Sequence, residues 1–158
     1  KGATSKLIAN DAMDLGLVIS DAIGVDTNDV PLSLFSSAEL LMRQNKFKEA
    51  TQRMDSINLM FPNHTLAVDI LMKKAEMAMK QQKYKEASEF YSKVVSDFGQ
   101  EIFGDDAQFK LAELYEKYLN DTEKAKVAYQ DLMLNYPGSV YVTEARKRFR
   151  KLRGDQVN

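Results

Sequence analysis

Cysteine is missing from all 158 residues. That removes disulfides, thiolate metal sites and thiol catalysis in one step. Histidine occurs once, at His64, and one imidazole without thiolates does not make a zinc site. No apolar run approaches the ~18 residues of a membrane span, and no signal peptide is visible. There is no glycine-rich phosphate loop and no Gly-x-Ser-x-Gly elbow. Neither sign of charge dominates: 22 lysines and arginines stand against 23 aspartates and glutamates. No global field therefore points to nucleic acid or to a membrane surface. The expectation is a chain that is not an enzyme, with no cofactor, no metal, no nucleic acid and no small-molecule substrate. The chain opens on Lys1 rather than methionine and reads as a fragment of a larger protein. Any targeting segment or membrane contact belongs to parts outside it.

What is present is ordinary in amount and unusual in order. A hydrophobic content of 44% and a charged content of 28% are those of a globular chain, long enough for one domain or a short repeat array. Three segments align without gaps or with one: AELLMRQNKFKEA over residues 38–50, AEMAMKQQKYKEA over 75–87, and AELYEKYLNDTEKA over 112–125. The starts lie 37 residues apart both times, and the second alanines, Ala50, Ala87 and Ala125, 37 and 38 apart. Each block runs into an apolar segment that closes on an aromatic and a breaker: Phe61-Pro62, Phe98-Gly99 and Tyr136-Pro137. Self-similarity at such a period means stacked supersecondary units.

The spacing inside each unit predicts helices. Phe47, Ala50, Met54, Ile57 and Phe61 recur every three or four residues, as do Tyr84, Ala87, Tyr91, Val94 and Phe98. Ala125, Ala128, Tyr129, Leu132, Met133 and Tyr136 repeat the pattern in the third unit. Each set is one stripe of an amphipathic helix, ended by a residue that cannot continue it or that readily caps it. Ala38, Ala75 and Ala112 are expected to face Ala50, Ala87 and Ala125 where two antiparallel helices cross closely. A large side chain there would overpack the crossing by about 1–3 kcal/mol.

This arrangement resembles the tetratricopeptide repeat. The family pattern has a small residue in mid helix A, an aromatic before helix B, an alanine early in helix B, an aromatic four residues on, and a terminal proline. In the second unit these fall on Ala75, Tyr84, Ala87, Tyr91 and, in place of proline, Gly99. The first supplies Ala38, Phe47, Ala50, Met54 and Pro62; the third Ala112, Ala125, Tyr129 and Pro137, with Thr122 where the aromatic belongs. The large aromatic usual early in helix A is replaced by Leu34, Leu71 and Gln108. With its longer period and its Tyr136–Ser139 turn, the variant is similar to repeats of bacterial cell-envelope proteins such as outer-membrane assembly lipoproteins. The resemblance implies an all-α, α-α superhelix: three helix-turn-helix repeats with one flanking helix at each end. It favours a periplasmic or cell-envelope setting over a cytoplasmic one.

The expected organisation is an N-terminal helix within residues 1–30 (over 5–23, a cap or half of a truncated repeat), repeats over 31–67, 68–104 and 105–139, and a capping helix and tail over 140–158. In the last helix, Val142, Ala145, Phe149 and Leu152 face inward. Arg146, Lys147, Arg148, Arg150, Lys151 and Arg153 supply the wet outer face that a terminal unit needs.

Little chemistry competes with this reading. His64 sits beside Pro62 and Asn63 in an inter-repeat loop. Asp105 and Asp106 read as first-turn acids that complement a helix dipole. The first helices are expected to line a concave groove. The resemblance puts Phe35, Glu39, Met42 and Arg43 on it in the first unit, Met72, Glu76, Met79 and Lys80 in the second, and Phe109, Glu113, Glu116 and Lys117 in the third. Glu39-Arg43, Glu76-Lys80 and Glu113-Lys117 share one spacing, either as plain helix-stabilising pairs or as a ladder of charge for a peptide. The function expected is a protein–protein interaction module or scaffold that holds a peptide or partner protein in that groove. The alternative is a structural spacer or homo-oligomerisation segment with no external groove ligand, the groove being filled by a flanking helix.

Overall fold

The structure, a computed structural model, describes residues 29–155. The helix expected over 5–23 lies outside the described residues. Among them are seven helices and no strand: α1 (Val30–Arg43), α2 (Phe47–Met60), α3 (Ala67–Lys80), α4 (Tyr84–Phe98), α5 (Gly104–Lys117), α6 (Thr122–Asn135) and α7 (Val142–Arg153). The chain divides into two compact units, Lys1–Ile70 and Leu71–Asn158.

In the first unit α1 packs on α2. The inward residues are Phe35, Ala38 and Met42 from α1 and Ala50, Met54 and Ile57 from α2, all buried. In the second unit α4 packs on α5, α5 on α6, and α6 on α7. Ala87, Tyr91 and Val94 form the buried stripe of α4. Phe109, Ala112, Ala125, Ala128, Tyr129, Leu132 and Ala145 make one core, with Val142, Phe149 and Leu152 of α7 packed against it. The six alanines expected at helix crossings are all fully buried, so no side chain holds the backbones apart there. Four of the described methionines, Met42, Met54, Met72 and Met77, are buried in the core, while Met79 and Met133 are half-buried and Met60 exposed.

The period also appears in the backbone. Among the described residues, positive φ outside glycine occurs at Asn45 (59°), Gln82 (59°) and Asn120 (52°), at the same 37- and 38-residue spacing. These are the turns between paired helices. Lys46 N–H reaches the Leu41 carbonyl at 2.9 Å, and Lys83 N–H reaches Ala78 at 2.9 Å. That is the six-to-one bond of a Schellman close, with the left-handed residue just before it. In the third turn the extra residue widens the loop, and Asp121 N–H reaches Tyr115 at 2.9 Å. Asp121 then caps α6, its side chain accepting from Lys124 N–H at 3.0 Å; that bond holds the carboxyl below its ordinary range. Asparagine tolerates the left-handed region, but glutamine carries its full Cβ penalty. Gln82 is exposed, so Gln82→Gly is expected to stabilise the chain by about 0.5–1 kcal/mol. A rise of the urea midpoint with unchanged slope would show it.

Two departures from the sequence pattern have local explanations. Gln108, where a large aromatic is usual, is 3% exposed; its Nε2 donates to the Ala128 carbonyl at 2.8 Å, so the amide ties α5 to α6. His64 accepts from Leu66 N–H through Nδ1 at 2.9 Å, with Nε2 2.9 Å from Asn58 Oδ1. It bridges the end of α2 to the residue before α3, a loop role as expected.

Candidate functional site

The expected groove residues separate into two layers. Phe35, Met42, Met72 and Phe109 are buried. The reason is their position beside the small residue of each helix, which draws them into the packing rather than onto a surface. Glu39, Glu76, Met79, Glu113 and Glu116 are half-buried, and Arg43, Lys80 and Lys117 exposed. The outer layer of this set is thus charged apart from Met79, with Phe35, Met42, Met72 and Phe109 lying beneath as support.

The charge ladder forms in part. Lys117 donates to Glu113 at 2.6 Å, as the four-residue spacing predicts. Glu76 pairs with Lys73 at 3.5 Å, one turn back on α3, rather than forward to Lys80.

In the second unit the polar groups of α5 belong to a larger network. Arg148, expected on the wet outer face of α7, instead points inward, its side chain 19% exposed. It meets Glu113 at 3.0 Å, Glu116 at 3.2 Å and Glu144 at 2.7 Å, and its guanidinium lies 5.7 Å from the centre of the Phe109 ring. The cause is helical spacing: position 148 follows Ala145 by three and precedes Leu152 by four, on the flank of the buried stripe. Burial pulls this guanidinium down, but the bonds to Glu144, Tyr129 and Glu116 outweigh it and hold it above its ordinary value. Glu144 is held low by the same hydrogen bond.

Tyrosine hydroxyls complete the network. Tyr129, fully buried in α6, donates to Glu116 at 2.6 Å. Tyr141, just before α7, stacks on Phe109 with ring centres 4.5 Å apart and donates to Asp106 at 2.8 Å. Asp106 also pairs with Lys110 at 2.9 Å, so this first-turn acid is a junction as well as a dipole partner. Neither tyrosine role was visible in periodicity, which marks a position as inward without saying where its polar tip ends.

Burial, then the hydrogen bond to Asp106 and its charge, push the Tyr141 phenol up to about 12. An unfolded tyrosine ionises near pH 10. The folded state therefore keeps its proton where the unfolded state releases one, and stability is lost as pH rises from about 10 to about 12. Tyr141→Phe is expected to flatten that decline in urea midpoints measured across the window. An unchanged slope would remove the Tyr141–Asp106 bond from the account.

On another side of the second unit, α4, α5 and α6 enclose an open trough of about 420 Å³, lined by Val95, Gln108, Leu111, Tyr115, Val127 and Ala128 among others. Among the described residues no group of acidic or histidine side chains is placed to hold a metal ion.

Comparison with known proteins accords with this architecture. A tetratricopeptide-repeat family model matches residues 106–139, one helix pair. No curated protein matches the chain. Among solved structures, the chain is similar to a tetratricopeptide repeat protein from Parabacteroides merdae ATCC 43184, with 16% identity and a TM-score of 0.62. The match covers 89% of this chain and 51% of that one, so the chain spans about half the length of the protein it resembles. The fold is an all-α helical-repeat solenoid of the tetratricopeptide type.

Proposed function

We propose that the chain is a protein–protein interaction module, non-enzymatic, that holds a peptide or partner protein on the charged face of α3 and α5. The observation that carries this is the layering of that face. Met72 and Phe109 are buried beneath it, while Glu76, Lys80, Glu113 and Lys117 stand above, half-buried or exposed. A rigid layer carrying polar groups in fixed register favours recognition, because little ordering is left to be done on binding. Glu39 and Arg43 repeat the pattern on α1 in the first unit. The likeness of the period and of the Tyr136–Ser139 turn to cell-envelope repeats supports a bacterial periplasmic or envelope setting, which fractionation of the native protein would test.

A second reading, a spacer whose face needs no external ligand, draws on Arg148. This residue of the chain's own last helix already satisfies Glu113 and Glu116. It leaves Glu76, Met79 and Lys80 without such a cover from α7 among the contacts described.

The two readings separate experimentally. Peptides selected from a displayed library on the intact chain are expected to bind wild type, and to bind at least about tenfold more weakly when Glu76→Lys and Lys80→Glu are combined. Helicity by circular dichroism should not change. Undiminished binding by the double variant would remove this face as the site.

A further inference from the structure

We infer that the open trough of α4, α5 and α6 is a second docking surface, and that its occupant is an amphipathic helix of another protein whose apolar stripe carries a lysine or arginine. It uses a different side of α5 from the charged face proposed above and does not depend on that reading.

Gln108, Leu111 and Tyr115 of α5 line the trough. They are spaced three and four residues apart and so share one side of that helix, over two turns or roughly 10 Å. Val95 of α4 and Val127 of α6 flank them. The apolar surface continues beyond the trough along α6. Val127 is 57% exposed, and Leu134, seven residues on and on the same side of the helix, 67%. Neither belongs to the inward stripe of Ala125, Ala128, Tyr129 and Leu132 that anchors α6 in the core. This helix therefore carries a second apolar file, turned to solvent.

The charge on that file says what covers it. Asp131 stands between Val127 and Leu134, half-buried, and lines the trough. Of the other charged lining residues, Glu123 pairs with Lys126 at 2.7 Å and Lys124 with Asp121 at 3.2 Å. Asp131 has no ion pair among the described residues. A carboxylate left uncompensated between two exposed apolar side chains selects a cation from its partner. It also selects against a second copy of this chain. In a two-fold contact of α6 with itself, Val127 would lie against Leu134 and Asp131 against Asp131, like charges at the centre.

The occupant is helical because the trough has little to bond an extended chain. Its walls are helices, whose backbone groups are already paired. Gln108 donates its amide to the Ala128 carbonyl at 2.8 Å, and Ser96 its hydroxyl to Asp97 at 2.6 Å. A helix satisfies its own backbone and brings a ridge of side chains, which suits a groove between helices. Short unstructured peptides are poor ligands for such a site, since isolated helices of that length are marginal in water.

The test uses the full chain and a strongly helical, alanine-rich peptide of about twenty residues. Its leucine stripe is interrupted by one arginine; a second peptide has glutamate there. Amide chemical shifts are followed during titration. The arginine peptide is expected to move signals of Val95, Leu111, Tyr115, Val127 and Asp131, and the glutamate peptide to bind about tenfold more weakly or worse. Asp131→Lys, at a position outside the core, should reverse that preference. Combining Glu76→Lys with Lys80→Glu should leave both responses as they are, which separates this site from the α3–α5 face. Equal binding of the two peptides, a preference unchanged by Asp131→Lys, or no movement of the trough signals would overturn the inference. So would trough signals that shift with the chain's own concentration, since the occupant would then be a second copy.

Discussion

Tyr129→Ala is expected to destabilise the second unit by about 3–5 kcal/mol, the range for truncating a fully buried aromatic. Tyr129 is completely buried within the cluster that joins α5, α6 and α7, its ring centre 6.0 Å from that of Phe109. The change opens a cavity and also takes a donor from Glu116. Tyr129→Phe separates the two contributions. It keeps the ring and loses the 2.6 Å bond, while Arg148 remains 3.2 Å from Glu116. Its cost is expected to stay at or below about 1.5 kcal/mol. Urea unfolding of both variants checks this. A phenylalanine variant as unstable as the alanine one would mean that the hydroxyl network, rather than ring packing, holds these helices.

Gly104→Ala is expected to cost about 3 kcal/mol, the upper end of the range for overpacking. Gly104 opens α5 and is buried. A Cβ there would fall 2.1 Å from the Gly99 carbonyl oxygen and 2.7 Å from its carbon. These are backbone atoms and cannot swing aside as a side-chain tip would. The loop between α4 and α5 would have to open, and with it the placement of Asp105 and Asp106. Gly138 provides the control: a Cβ there meets nothing within 4 Å, so Gly138→Ala should be nearly silent. Thermal unfolding of the pair gives the comparison. Equal midpoints would show that the α4–α5 loop accommodates the methyl group.

How much of this could be read from the sequence depends on what kind of force fixes each feature. The buried stripes were legible because burial follows periodicity: Ala50, Met54 and Ile57, or Ala87, Tyr91 and Val94, are inward whatever their neighbours do. The crossing alanines were legible for the same reason. Arg148 was not, since six cations in eight residues look like one solvated face. The inward turn of one of them depends on Glu113 and Glu116, some thirty positions earlier. The signal available was its spacing from Ala145 and Leu152, together with Glu144 one turn back. The burial of Phe109 and Met72 was missed because pattern alone does not distinguish a groove floor from a groove wall. The close approach of Gly104 to Gly99 was missed because a glycine at a helix start looks like any other breaker. Conformation at Gln82 followed from the repeat rather than the residue, since its counterpart Asn45 marks the same turn.

The account turns on which surface of the second unit meets a partner. Hydrogen–deuterium exchange of the intact chain, with and without a display-selected peptide at saturating concentration, addresses this most directly. Slowed exchange is expected along α3 and α5, around Glu76, Lys80, Glu113 and Lys117, with α4 and α6 unchanged on their outer sides. Protection confined to the trough residues Val95 and Val127, or spread evenly over the chain, would contradict it.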